Sequence, residues 1–124
     1  MNQHYCTLCL GSNFNRHTRI DQARRALAFH FPNIRFGEEM ETKAIGCGFL
    51  SPFINQLAQF TTALSPEEIR SILKSIEKEN GRLPEDKAQG IVKLDIDLLM
   101  YDNQILKPKD MEKDFIRQGM KAFQ

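Results

Sequence analysis

The segment Leu94-Asp95-Ile96-Asp97-Leu98-Leu99-Met100-Tyr101 constrains this chain more than any other. Apolar residues at 94, 96, 98 and 100 alternate with two acids, the period-two pattern of a strand that buries one face. Asp has poor strand propensity, so two of them inside an apolar run oppose local preference, and such conflicts tend to mark functional sites. The acids leave the same face roughly 7 Å apart, twice the rise of a strand. Hard oxygen ligands at that spacing suit one divalent cation or a bridged pair. The pattern predicts that Leu94, Ile96, Leu98 and Met100 bury against helices while Asp95 and Asp97 face a ligand. A lone Asp-x-Asp also fits a solvated strand face.

At 124 residues the chain is expected to form one domain, residues 1–124, with a single core. Seventeen basic and 16 acidic residues leave a net charge of +1, so no global field draws it to nucleic acid or a membrane surface. No apolar run reaches the ~20 residues of a membrane span, and the start lacks a signal-peptide core, so a cytoplasmic location is expected. Cys6, Cys9 and Cys47 cannot all pair within one chain, which argues against a disulfide scaffold. Cys6 and Cys9 form a C-x-x-C, but Tyr5 to Leu10 reads as a strand that sends i and i+3 to opposite faces. His4, His17 and His30 lack ligand spacing and read as surface or capping residues.

Gly11-Ser12-Asn13 turns the chain after that first strand, and Ile20, Ala23, Leu27 and Phe31 recur at helical spacing until Pro32-Asn33. Residues 34–42 alternate as one half-buried strand, placing Phe36, Glu38, Met40 and Thr42 on one side. Residues 43–52, with Gly46, Gly48 and Pro52, read as a long loop of the kind that often carries function. A third strand spans Phe53 to Thr62. Ser65-Pro66-Glu67-Glu68 then predicts a capped helix start, with Leu64 and Ile69 as a staple. Ile69, Ile72, Leu73 and Ile76 form its buried stripe, and Asn80-Gly81 ends it. A second loop, 82–90, leads to the Asp-bearing strand; Asp102-Asn103 turns the chain, and 110–123 is weakly helical.

The order β-α-β-β-α-β is the ferredoxin-like α+β plan, an antiparallel sheet with both helices on one face and an open ligand-binding face. By parity that open face carries Asp95, Asp97 and one alternating set from the third strand, of which Phe53, Asn55, Leu57 and Gln59 are a candidate. Asn55 offers two donors and an acceptor beside an aromatic ring; a packed Phe beside a turn-proximal Asn is the plainer alternative.

Leu10-Gly11-Ser12-Asn13, Phe53-Ile54-Asn55, Ile76-Glu77, Gly81-Arg82 and Leu94 to Leu99 followed by Tyr101-Asp102 together resemble the hydroxymethyldihydropterin pyrophosphokinases (HPPK) of folate biosynthesis. The resemblance implies transfer of pyrophosphate from ATP to the hydroxymethyl group of a reduced pterin, with AMP as leaving group. It implies that Asp95 and Asp97 hold two magnesium ions. It also implies that Thr42, Ile45, Gly46, Phe53, Asn55 and Phe115 meet the pterin, and that Glu77 and Arg82 lie near ATP.

Departures from the family pattern accompany the matches. Gly90-Ile91-Val92-Lys93 stands where Gly-Pro-Arg is usual, so Val92 replaces an arginine expected on the triphosphate. Lys93 shares parity with Asp95 and Asp97 and is expected on their face, though a lysine lacks the bidentate fork. Lys87, Lys93, Lys107 and Lys109 are candidates for supplying the missing charge to nucleotide, with Arg82, Lys93, Asp95 and Asp97 as the catalytic set. The downstream Pro-His and Arg-x-Phe pattern is reduced to Pro108-Lys109 and Asp114-Phe115, and the chain stops where the family usually continues. A diverged enzyme of reduced activity is expected, with a paralogue that binds pterin or nucleotide with little or no transfer as the alternative. A ferredoxin-like RNA-binding module fits poorly, because its sheet face would carry basic and aromatic residues rather than acids. Pterin and ATP are thus the expected partners, without nucleic acid or membrane; nothing in the sequence points to a protein partner.

Overall fold

A computed structural model describes residues 2–42 and 52–123. Chain order is β1 (His4–Ser12), α1 (Arg16–His30), β2 (Arg35–Phe36), β3 (Met40–Thr42), β4 (Phe53–Thr62), α2 (Pro66–Glu79), a 3-10 helix (Pro84–Gln89), β5 (Asp95–Tyr101), β6 (Gln104–Ile105), α3 (Pro108–Met111) and α4 (Asp114–Ala122). The sheet runs β2-β4-β1-β5-β6 with β3 also on β4, and every pairing is antiparallel. This is the α+β, ferredoxin-like order expected from the sequence.

One face carries α1 and α2. Ile20, Ala23, Leu27 and Phe31 from the first helical stripe join Ile69, Leu73 and Ile76 from the second over Leu8, Leu10, Ala58, Leu94, Ile96 and Leu98. Each Leu, Ile and Phe among them contributes about 1.5–3 kcal/mol by leaving water. The start of α2 has the predicted capping box: Ser65 Oγ accepts from Glu68 N at 3.2 Å, and Glu68 Oε1 accepts from Ser65 N at 3.0 Å. Leu64 packs on the same core, and Gly81, at φ +83°, follows the helix end.

Two one-residue slips alter the predicted parity. Phe36 lies opposite Ala58 and Met40 opposite Asn55, so the edge strand advances four residues while β4 advances three. The single strand expected over 34–42 is therefore two short strands. Gly37 N donates to Leu57 O and Gly37 O accepts from Gln56 Nε2, which holds the break in place. Phe36 ends on the helix side and Met40 on the other. In β5, Leu98 pairs Leu8 and Met100 pairs Thr7, leaving Leu99 as a bulge. Met100 was expected against the helices; the bulge turns it to the opposite face beside Leu99.

That opposite face is not fully open, which corrects the expectation of an open ligand-binding face. The weakly helical tail is α3 and α4, and Ile116 packs with Leu57 and Leu99, flanked by Met40, Met100, Met120 and Phe123. The approach is close: a Cβ on Gly119 would stand 2.5 Å from Leu57 Cδ1. The loop predicted over 82–90 contains the 3-10 helix, with Asp86 buried and its Oδ2 accepting from Leu83 N at 2.9 Å. Cys6 and Cys9 do point to opposite faces, Cys6 into the helical core and Cys9 toward α4. His4 is no simple surface residue, since Nδ1 sits 2.7 Å from Asp102 Oδ2 and the ring stacks on Tyr101. Among the described residues no helix is long and apolar enough to cross a membrane.

Candidate active site

Beside the first turns of α4, the sheet face opposite α1 and α2 forms a cavity of about 840 Å³. Its floor comes from the strands. Asp95 lies opposite Gly11 and Asp97 opposite Cys9 on β1, and Gly11 in turn lies opposite Asn55 on β4. Asp95, Asp97, Phe53, Asn55 and Thr42 therefore share one cavity with Phe115, which α4 brings from the far end of the chain. Ile45 and Gly46, expected beside Thr42, lie outside the described residues.

Asn55 is 8% exposed, and its Nδ2 donates to Thr42 Oγ1 at 2.7 Å. A Cβ at Gly11 would stand 2.8 Å from Asn55 Oδ1, so only glycine leaves the amide where it is. Two aromatic residues and an oriented amide in one cavity are suited to a planar heterocycle with donors and acceptors on its edge.

The two carboxylates differ in environment. Burial, then the charge of Asp95 and a hydrogen bond shared with it, push Asp97 up to about 7; Lys107, 3.9 Å away, opposes this. Asp95 instead meets Arg82, whose Nη1 lies 2.9 Å from Asp95 Oδ1 and 3.1 Å from Glu77 Oε2, and also donates to Leu94 O. Glu77 Oε2 accepts from Ile96 N at 2.8 Å. Burial raises Glu77 above the usual carboxylate value, partly offset by the Ile96 amide and Arg82. Burial lowers Arg82, but the hydrogen bond to Asp95 and the charges of Glu77 and Asp95 outweigh it and leave the guanidinium raised.

Other predicted cations stand elsewhere. Lys93 does not share the face of Asp95 and Asp97: β5 begins only at Asp95, so strand parity does not extend back to it. Its Nζ donates to Gly81 O at 3.0 Å and sits 3.5 Å from Asp86 Oδ1, tying the 3-10 segment to the end of α2. Lys87 on the 3-10 helix and Lys109 on α3 are exposed and do not line the cavity. Val92 does line it. Asn13 fixes that segment, since its Oδ1 accepts from Val92 N and its Nδ2 donates to Gly90 O. Among the described lining residues the cation is Lys113, ion-paired to Asp110 at 3.0 Å.

The floor residues Cys9 and Gly11 could have been read from strand parity, as the β1 neighbours of the two acids. Asp110, Lys113, Asp114 and Gln118 could not, because nothing local in α3 and α4 says where they dock. Burial, then the charges of Asp97 and Asp95, raise the Cys9 thiol to about 12, which keeps it protonated.

Two like charges on one face, one of them driven toward neutrality, are a donor set that a hard cation would relieve. Among the described residues no third His, Cys, Asp or Glu completes a protein-only cage. That composition fits an ion that keeps open positions for water and substrate oxygens.

Comparison with known proteins bears on the same residues. The family description 7,8-dihydro-6-hydroxymethylpterin-pyrophosphokinase (HPPK) matches residues 7–124. The 2-amino-4-hydroxy-6-hydroxymethyldihydropteridine pyrophosphokinase of Aquifex aeolicus is 32% identical over 103 residues, 82% of this chain and 64% of that protein. Its Haemophilus influenzae counterpart is 30% identical over 105 residues, 81% and 64% of the two chains. The Porphyromonas gingivalis protein of that name is 28% identical over 125 residues, 89% and 84%. This chain thus spans less than two thirds of the Aquifex and Haemophilus proteins. Among solved structures, the C-terminal domain of the MgtC protein from Mycobacterium tuberculosis aligns over 77% of this chain and 86% of that one, at 7% identity and a TM-score of 0.42. So slight a likeness carries no argument, and the fold rests on this chain's own strand pairings. The family match, by contrast, runs from the first strand through the last helix and takes in every described residue lining the cavity, and on it this chain belongs to the 7,8-dihydro-6-hydroxymethylpterin-pyrophosphokinase family.

Proposed function

We propose that this chain transfers the diphosphate of ATP to the hydroxymethyl oxygen of 6-hydroxymethyl-7,8-dihydropterin, releasing AMP. The observation that carries the reading is that Asp95 and Asp97 stand on the floor of the same cavity that holds Phe53, Asn55 and Phe115. Ring stacking on the phenylalanines and hydrogen bonds from Asn55 orient the pterin so that its hydroxymethyl group points toward the acids. The hydroxyl oxygen forms a bond to the β-phosphorus as the bridging bond to the α-phosphate breaks, and the hydroxyl proton leaves to solvent. Asp95 and Asp97 would hold two magnesium ions, which would supply charge neutralisation and alignment of the phosphates. Arg82 is the guanidinium near enough to meet a phosphate at Asp95. The reaction needs neither nucleic acid nor membrane, and the cytoplasm is its expected place. Both hydrophobic clusters share one sheet, which supports a single working domain.

A second reading has its own observation. Val92 occupies the cavity wall where an arginine is expected, and Lys93 is engaged with Asp86 and Gly81 rather than with the cavity. A chain that binds pterin or nucleotide with little or no transfer follows from that loss. Incubation with ATP, magnesium and the reduced pterin, with AMP measured by chromatography, separates the two. AMP that disappears in Asp97→Asn supports transfer. Binding of both ligands without AMP supports the second reading.

A further inference from the structure

We propose that Arg82 is a resident counter-cation on Asp95, and that Glu77 is the positioning residue to which Arg82 is handed when a divalent ion reaches the carboxylates. The inference rests on the reading of Asp95 and Asp97 as a metal site. One guanidinium nitrogen serves two acids: Arg82 Nη1 lies 2.9 Å from Asp95 Oδ1 and 3.1 Å from Glu77 Oε2. The two acids are not equivalent. Asp95 is half-exposed at the cavity, whereas the Glu77 side chain is 12% exposed and fixed by the Ile96 amide, the residue next to Asp95. A cation arriving at Asp95 repels the guanidinium, and the stationary carboxylate of Glu77 already lies within its reach. Lys107 stands 3.9 Å from Asp97, a looser contact on a half-exposed side chain, so Arg82 is the stronger competitor.

Two consequences follow from the charges. Free metal must displace Arg82 from Asp95, so it binds weakly alone and better with nucleotide phosphates that give the guanidinium an additional partner. Glu77 eases that displacement only while Arg82 is present. If Glu77 acted merely as a nearby negative charge, its loss would cost the same with or without Arg82.

The test is manganese binding to the full chain without nucleotide, followed by EPR of the free aqua ion, in the parent, Arg82→Met, Glu77→Gln, the double variant and Asp97→Asn. Arg82→Met should tighten manganese by roughly 5-fold, the upper end of what a half-exposed ion pair is worth. Arg82→Gln, which keeps a donor for Leu94 O without the charge, should move affinity the same way if the Met variant misfolds. Glu77→Gln should weaken binding when Arg82 is present and change it far less in the Met background. Unchanged or weaker binding in both Arg82 variants overturns the proposal, as does an equal Glu77→Gln effect in both backgrounds. If the parent binds manganese no better than Asp97→Asn, the metal-site reading itself fails and the inference falls with it.

Discussion

The space beside Gly11 belongs to Asn55, because a Cβ on Gly11 would stand 2.8 Å from the Asn55 amide oxygen. Asn55 is nearly buried and tied to Thr42, so Gly11→Ala must turn the amide rather than merely crowd it. Affinity for 6-hydroxymethyl-7,8-dihydropterin should fall by about 1–3 kcal/mol, the cost of leaving ring donors unpaired. Fluorescence titration measures it, and an unchanged dissociation constant would remove Asn55 from the binding site.

Stability should fall as pH rises because of Asp97. Its native pKa of about 7 lies above the ordinary carboxylate value of 3.8, so between those values the folded chain binds a proton that the unfolded chain releases. That contribution is fully present below about pH 4 and is lost progressively up to about pH 7. Asp97→Asn should match the parent near pH 4 and exceed it by about 1–2 kcal/mol at pH 8, after discounting for a carboxylate one-third exposed. Urea denaturation at both pH values decides; equal parent and variant stability at pH 8 contradicts the coupled pair.

Gly119→Ala tests how α4 is seated. Alanine gains up to about 1 kcal/mol in helix propensity, but its methyl would meet Leu57 Cδ1 at 2.5 Å and Met40 Cε at 3.2 Å. Overpacking at such a contact costs typically 1–3 kcal/mol, so a net loss of about 1 kcal/mol is expected. Because Phe115 rides on the same helix, pterin affinity should weaken as well. A variant as stable as the parent would mean that α4 shifts freely.

Lys93→Ala should act on stability rather than on the charge of the cavity. It leaves the buried Asp86 carboxylate without its lysine and Gly81 O without its donor, at a cost of about 1–3 kcal/mol. Thermal melting reads this out, and an unaltered midpoint would show that the 3-10 segment does not depend on the lysine.

Val92→Arg restores a guanidinium on the cavity wall. AMP formation should rise by roughly tenfold or more, a fraction of the ~10³–10⁵ that an arginine contact of this kind can supply. A rate no higher than the parent's, with ATP binding intact, would favour the non-transferring reading.

What could be read from the chain and what could not divides along physical lines. Ser65 to Glu68 carries its own cap, and the stripes of α1 and α2 carry their own period, so those elements are local facts. Asp95, Asp97, Phe53 and Asn55 share a face because parity holds along unbroken strands. Parity misplaces Met100 and Lys93 for the opposite reason: the Leu99 bulge interrupts it, and position 93 precedes the strand. The pairing of Arg82 with both Glu77 and Asp95, and the docking of α3 and α4, depend on which surfaces meet in three dimensions.

The Leu99 bulge has a consequence for how such a chain can vary. The residues that seat α4 from β5, Leu99 and Met100, lie at or beyond the slip, whereas Asp95 and Asp97 lie before it. Deleting Leu99 would restore regular alternation, keep Met100 opposite Thr7 on the α4 side, and strip part of the seat from α4, all without rotating either acid. The same holds on the other side, where a deletion within 37–39 would remove the extra residue yet leave Phe36 opposite Ala58 and Met40 opposite Asn55. The seat of α4 can therefore be altered by a single-residue change while the acidic floor stays fixed.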